Sequence, residues 1–241
     1  MNDRKDERHQ LLDPVLAPGW IGLFPRVSGR TFRVAVHASV DAESRRGIEL
    51  AAQEADRTAQ VLGASVEINN GGIGATGLAG FVIGADVGPL RPRVPAVSIT
   101  ADGGGGCSSV FSIAPSPDTR RAMIAAWRTT HPEVSGDLDL VEWHQLLTAH
   151  GAAELNERFA RTYHRPMGSA AWRGYFAMKA LAETALRRAT ASDRCRALLE
   201  AELDGHKGAR LIFDRATRVL RQPMYVVRRQ SGGDELLGEM R

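Results

Sequence analysis

Residues 31–39, TFRVAVHAS, run almost directly into residues 41–63, DAESRRGIELAAQEADRTAQVLG, and this pair sets the fold class. The first is a short apolar segment with β-branched residues, the composition of a buried strand. In the second, Ile48, Ala51, Ala52, Ala55, Ala59 and Leu62 recur at helical spacing, which predicts a helix. Working outward, short strands are predicted at Ser65 to Ile68, Phe81 to Ile83, Val94 to Ile99 and Val110 to Ile113. Ser116 and Pro117 supply the cap and first-turn signal for a helix running through Trp127. Strands alternating with helices predict an α/β fold, a single Rossmann-like lobe whose parallel sheet is flanked by helices. Between the second and third strands stands NNGGIGATGLAG, so that crossover is read as shortened.

Beyond Trp127 the pattern changes. Thr129 to Leu140 is polar, with Pro132 and Gly136, and reads as a linker. WHQLLTAHGAAELNERFARTY and SAAWRGYFAMKALAETALRRA follow as long helical patterns separated by the turn RPMG. A third helix is expected around Cys195 to Leu203, ending near Gly205. LIFD and MYVVRR read as short strands, and the Gly-rich charged tail as frayed. The expected organisation is an N-terminal extension over 1–30, the first part of the α/β lobe over 31–128, a linker over 129–140, returning helices and closing strands over 141–228, and a flexible tail over 229–241.

Lys and Arg number 31 against 28 Asp and Glu, a net charge of +3 without a basic tract, which argues against a nucleic-acid partner. Apolar residues make up 43% of the 241, with 25 Gly and 11 Pro scattered, the balance of a folded chain. No stretch approaches the roughly 20 apolar residues that span a bilayer. Residues 11–24, LLDPVLAPGWIGLF, are interrupted by Asp13, Pro14 and Pro18, and make a poor secretion signal. Two cysteines, Cys107 and Cys195, exclude a disulfide framework and leave one bridge open.

Several motifs carry chemistry elsewhere. Gly72, Gly74 and Gly77 satisfy GxGxxG, yet no helix opens directly after them, so no dinucleotide cofactor is expected. Tyr175 and Lys179 form YxxxK on one helix face, the arrangement in which short-chain dehydrogenases protonate a carbonyl; without the matching glycine fingerprint the pair is read as core, and the enzyme remains the lesser alternative. His131, His144, His150 and His164 match no metal-ligand spacing, so no metal is expected. No GxSxG nucleophile elbow is present. Asp102 to Gly106, DGGGG, follows the strand VPAVSIT at its carboxyl end, where open α/β sheets bind ligands.

The segment VEWHQLLTAHGAAELNERFARTYHRPMGSAAWRGYFAMKALAETALRRA, followed by DGHKGARLIFDRATRVLRQPMYVV, resembles the closing third of solute-binding proteins of the branched-chain amino acid ABC-transporter type. The subgroup it is most similar to accompanies PQQ-dependent alcohol dehydrogenases. RGIELAAQEADRTAQVLGASVEI, VPAVSIT and CSSVFSIAPSPDTRRAMIAAW resemble that family's first half. The resemblance implies a type I periplasmic binding fold, a small-molecule solute, an ABC transporter permease as partner, a periplasmic location and no enzymatic activity or cofactor. Where the family's second lobe would stand, the chain has only the linker 129–140, which implies a reduced fold. A cytoplasmic relative acting through protein contact is the alternative. Family ligands touch the loops after the first, third and fourth strands, so the resemblance assigns Ser39, Asp86, Gly88, Ser98, Thr100 and Asp102 as ligand-binding residues. With one cleft wall missing, another copy, a partner protein or the apolar segment Met1 to Arg30 is expected to cover the remaining one.

Overall fold

The computed structural model describes residues 29–70, 78–84, 94–100, 109–187 and 193–240. Strand β1 (Thr31–Val36) alternates Phe32, Val34 and Val36 onto one face and Ala35 onto the other. The chain turns through Asp41, whose carboxylate accepts from the N–H groups of Glu43 and Ser44 at 2.9 Å each, capping α1 (Ala42–Val61). Then follow β2 (Ser65–Asn69), β3 (Leu78–Ile83), β4 (Ala96–Ser98) and β5 (Val110–Ser112). These five strands form one parallel sheet in the order β2-β1-β3-β4-β5. The α/β class and the parallel sheet expected from the sequence are what the structure has.

Helix α2 (Pro117–Thr130) starts on Ser116, whose hydroxyl accepts from Thr119 N–H, with Pro117 in its first turn. It leads to β6 (Leu138–Val141), and then come α3 (Ala152–Tyr163), α4 (Ser169–Arg187) and α5 (Arg194–Leu199). Short strands β7 (Leu203–Asp204), β8 (Arg210–Phe213) and β9 (Leu220–Arg221) form a small antiparallel sheet. It sits at the margin of the parallel sheet, joined where Ser112 N–H donates to Arg218 O at 2.9 Å. The chain closes with β10 (Met224–Arg228) and β11 (Glu235–Met240), which with β6 make a second three-stranded antiparallel sheet in the order β11-β10-β6.

Helix α4 is buried nearly all round, from Ala171 through Leu186, which is why its pattern is apolar on more than one face. It packs on β1, β3 and β4 and lies along α1. The two helices approach backbone to backbone. A Cβ on Gly47 would stand 1.8 Å from the carbonyl oxygen of Ala171, and one on Gly174 would stand 2.0 Å from that of Ser44. Ser44 Oγ, on the same seam, reaches Asp41 Oδ2 at 2.7 Å and Ala170 O at 3.0 Å.

Three boundaries differ from the sequence expectation. The helix predicted over WHQLLTAHGAAELNERFARTY begins only at Ala152, because His150 and Gly151 take left-handed φ values of 57° and 81°. The residues before it fold as turns around Asn156, whose amide donates to the carbonyls of Gln145 and Leu147 at 3.0 and 3.2 Å. The 129–140 linker ends in strand β6, where Leu138 and Leu140 point into a cluster with Trp127, Met224 and Val226. The tail is not frayed. It is the edge strand β11, held against β10 by Arg228 on Glu235 at 2.6 Å and Arg229 on Asp234 at 2.6 Å.

The α1–α4 seam generates a prediction. Gly47→Ala and Gly174→Ala should each destabilise the protein by about 2 kcal/mol or more, since overpacking against backbone outweighs the roughly 1 kcal/mol that alanine gains in helix propensity. Gly232→Ala, which would meet nothing within 4 Å, should change stability by less than about 0.5 kcal/mol. Urea denaturation measures all three, and an unchanged Gly174→Ala would contradict the close seam.

Candidate functional site

In a parallel sheet of this order, connections leave β1 and β3 toward opposite sides, which opens a crevice at the carboxyl ends of the strands. Ser39, on the loop after β1, is exposed; its hydroxyl lies 2.7 Å from His37 Nδ1 and accepts from Gly84 N–H at 3.2 Å. The loops after β1 and β3 are therefore stitched together across the switch point. A Cβ on Gly84 would come within 2.3 Å of Ser39 O, so this approach requires glycine. Ser98 is fully buried, and its hydroxyl accepts from Thr100 N–H at 3.2 Å while donating to Thr100 O at 3.0 Å. Thr100 is half-buried beside it. The structure thus joins Ser98 to Thr100 and Ser39 to Gly84, in each case through bonds that shape the loop. Asp86, Gly88 and Asp102 lie outside the described residues, as do Cys107, the DGGGG stretch, the glycines of GxGxxG and the segment 1–28.

A larger opening lies beside the switch point. An open cleft of about 550 Å³ is lined by Glu43 from the first turn of α1, residues 141–145 after β6, residues 165–169 leading into α4, and Arg229 and Asp234 of the β10–β11 hairpin. The starts of α1 and α4 both contribute to it, held together by the glycine seam. Ser169 Oγ accepts from Trp143 N–H at 3.1 Å and reaches Trp143 O at 3.2 Å, which clamps the segment after β6 onto the start of α4.

The charges in the cleft are paired within each wall. On the side of the parallel sheet, Glu43 pairs with Arg165 at 3.0 Å and with Arg46 at 2.6 Å; on the side of the β6-β10-β11 sheet, Arg229 pairs with Asp234 at 2.6 Å and with Asp139 at 2.5 Å. His144 lies buried between these walls, and Leu146 N–H donates to its Nδ1 at 3.2 Å. Burial lowers the His144 pKa, against the opposing influence of Asp234. At the rim, burial raises the Asp41 carboxyl, but hydrogen bonds from Ser44 and Glu43 and the charge of Arg173 bring it below the usual carboxylate value. None of Ser39, Ser98 and Thr100 is among the residues lining this cleft. Its own residues were missed by sequence reasoning. RPMG was legible only as a turn, and His144 only as a histidine without metal-ligand spacing.

Behind the cleft the YxxxK pair has other partners. Tyr175 is buried and donates to Glu54 Oε2 at 2.7 Å, Arg158 donates to Glu54 Oε1 at 2.9 Å, and Lys179 pairs with Glu183. Burial and the neighbouring Glu54 push the Tyr175 hydroxyl well above its usual pKa, the opposite of what a proton-donating tyrosine needs. Among the described residues no cluster of His, Cys, Asp or Glu is arranged to hold a metal ion. No helix in them is long and apolar enough to cross a membrane.

The five-stranded parallel sheet flanked by helices matches the type I periplasmic binding fold. Solved structures share it. A leucine-binding protein, LivK, of Thermotoga maritima superposes with a TM-score of 0.63 at 12% identity, covering 87% of this chain and 98% of that one. The branched-chain amino acid binding protein LivJ of Streptococcus pneumoniae, in complex with isoleucine, gives 0.63 at 11%, covering 86% and 99%. A solute-binding protein of Rhodopseudomonas palustris, in complex with 3,4-dihydroxybenzoic acid, gives 0.64 at 10%, covering 87% and 97%. The sequence matches no family model and no curated protein.

Buried His144 and half-buried His206, in the turn between β7 and β8, set a pH dependence. Desolvation lowers the pKa of both His144 and His206 below the usual 6.5, so the unfolded chain binds more protons than the folded one as pH falls past that value. Their contribution to stability is complete above about pH 6.5 and declines through the range between that value and their folded pKa values. The unfolding free energy of the wild type should fall with acidification there, and His144→Gln with His206→Asn should flatten the slope. An equal slope in the double variant, measured by urea denaturation across the range, would contradict this assignment.

Proposed function

We propose that this protein is a solute-binding component of an ABC-type uptake system, and that its solute sits in the cleft between the parallel sheet and the β6-β10-β11 sheet. The observation that carries the proposal is the cleft itself, roomy, open and walled by two charge pairs, Glu43 with Arg165 and Arg229 with Asp234. Concave sites of this size with a few convergent polar groups suit small molecules. Arg165 and Arg229 offer donors to a carboxylate, and Glu43 and Asp234 offer acceptors to an amine or hydroxyl. Fold likeness to proteins that bind leucine, isoleucine and an aromatic acid supports the same class of ligand.

Finer parts of the proposal rest on the sequence resemblance. They are a permease partner, a periplasmic location, an association with PQQ-dependent alcohol oxidation, and a second lobe reduced to the small sheet and α2. Ser39, Asp86, Gly88, Thr100 and Asp102 are proposed as further ligand-binding residues, with the buried Ser98 acting by holding Thr100. A reduced relative working by protein contact, or as a homo-oligomer, is the alternative reading.

The test is a thermal-shift panel of leucine, isoleucine, benzoate and 3,4-dihydroxybenzoate, followed by calorimetry. A binder at 100 times its Kd should add about 2.7 kcal/mol of stability. Arg165→Ala and Arg229→Ala should each weaken that binding at least about tenfold, the loss expected of a charge-assisted hydrogen bond. A panel without any shift, or binding indifferent to both arginines, would overturn the proposal.

A further inference from the structure

Three stretches flank the β6-β10-β11 sheet where the chain enters or leaves it: residues 113–116 between β5 and α2, residues 142–143 after β6, and residues 222–223 between β9 and β10. Buried polar groups tie all three. Gln222 Nε2 donates to Ile113 O at 2.8 Å, linking the first stretch to the third. Glu142, fully buried on the second, holds Arg120 of α2 and, at 3.1 Å, Arg173 of α4. Arg120 also donates to Leu140 O at 2.6 Å.

At the centre stands Lys207, 1% exposed. Its ammonium donates to Gln222 Oε1 at 2.7 Å and to Pro223 O at 2.9 Å. It lies 4.0 Å above the ring of Trp172 in α4 and 5.3 Å from that of Tyr225 in β10. Trp172 stacks on Trp143 at 6.0 Å with planes 7° apart, and Trp143 belongs to the segment that lines the cleft. Lysine is rarely buried without a partner, and here the partners come from both sides of the cleft. We infer that Lys207 is a positioning residue that pins the β6-β10-β11 sheet to α4, which packs on the parallel sheet, and so fixes the width of the cleft.

Burial drives the Lys207 ammonium well below the usual lysine range, with Glu142 and Glu239 opposing, while its Nζ donates to Gln222 and Pro223 whatever its charge. An apolar residue of the same length would fill that space without a desolvation cost. What it would lose is directional bonding to Gln222 and Pro223 and the attraction to two ring faces. For a solute this inference rests on the cleft being the binding site. The pin itself is testable without one, so the two ideas fail separately.

The experiment is pulsed-dipolar spectroscopy between spin labels at two exposed positions, Gln60 on α1 and Ala125 on α2, in the solute-free protein with Cys107 and Cys195 replaced by serine. The unsubstituted pin should give one narrow distance distribution. Lys207→Met should broaden it about twofold or split it, as expected when packed bodies are released about a hinge. Phe159→Leu, a core change away from the crossing stretches, should lower the melting temperature with no broadening. Gln222→Leu, which leaves Lys207 in place but removes one of its acceptors and the bond to Ile113 O, should also broaden the distribution and serves if the Lys207 variant does not fold. A distribution as narrow in both pin variants as in the wild type, or broadened equally by Phe159→Leu, would overturn the inference.

Discussion

Everything in this structure is registered to the backbone contact of α1 with α4. Gly47 and Gly174 face each other's helix with no room for a Cβ, and Ser44 bridges to Ala170 on the same line. Helices that close cannot slide, because each glycine fits only where the opposing carbonyl passes. The first turns of both helices are thereby brought side by side at the carboxyl edge of the sheet. Asp41 and Glu43 come from one start and Ser169 from the other, and the cleft opens between them. A surface in a binding protein must keep its shape before the solute arrives, since ordering it afterwards would subtract from affinity. The seam supplies that rigidity from well inside the core.

The second constraint is electrostatic. Glu142 is buried between two arginines and Lys207 is buried between two aromatic rings. Such groups contribute little net stability, because desolvation consumes most of the attraction, yet they tolerate few alternative arrangements. Both sit where the chain crosses between the two sheets, the place where a unique geometry matters most for the cleft. Tyr175 and Glu54 do similar work between α4 and α1, which gives the tyrosine of the YxxxK pair a structural partner, as Glu183 does for its lysine.

Legibility in the sequence followed the distance over which each signal acts. The strand at Thr31 and the helix after Asp41 were readable because strand, cap and apolar period lie within some thirty contiguous residues. Helix α4 was readable for the same reason, and Ser116 with Pro117 marked α2. The break at His150 and Gly151 was not, since its cause is Asn156 reaching back to carbonyls that a continuous helix would have used itself. Strand β6 alternates Leu138 and Leu140 inward but over only four residues, and β11 is an edge strand with no buried residue to mark its faces, so neither carries a strong strand signal. Strand-end residues such as Ser39 and Thr100 could be named through the family resemblance. The cleft could not, because Glu43, His144, Arg165 and Arg229 come from four distant segments that only the tertiary structure assembles.

Hydrogen–deuterium exchange tests the central claim most directly, namely that solute is held between the two sheets. It compares the free protein with the protein saturated by whichever of leucine, isoleucine, benzoate and 3,4-dihydroxybenzoate stabilises it most. The account predicts slowed exchange at residues 141–145 and 165–169 and in the hairpin around Arg229 and Asp234, the segments that line the cleft. Protection confined to residues 37–41 and 98–100, with the cleft segments unchanged, would contradict it.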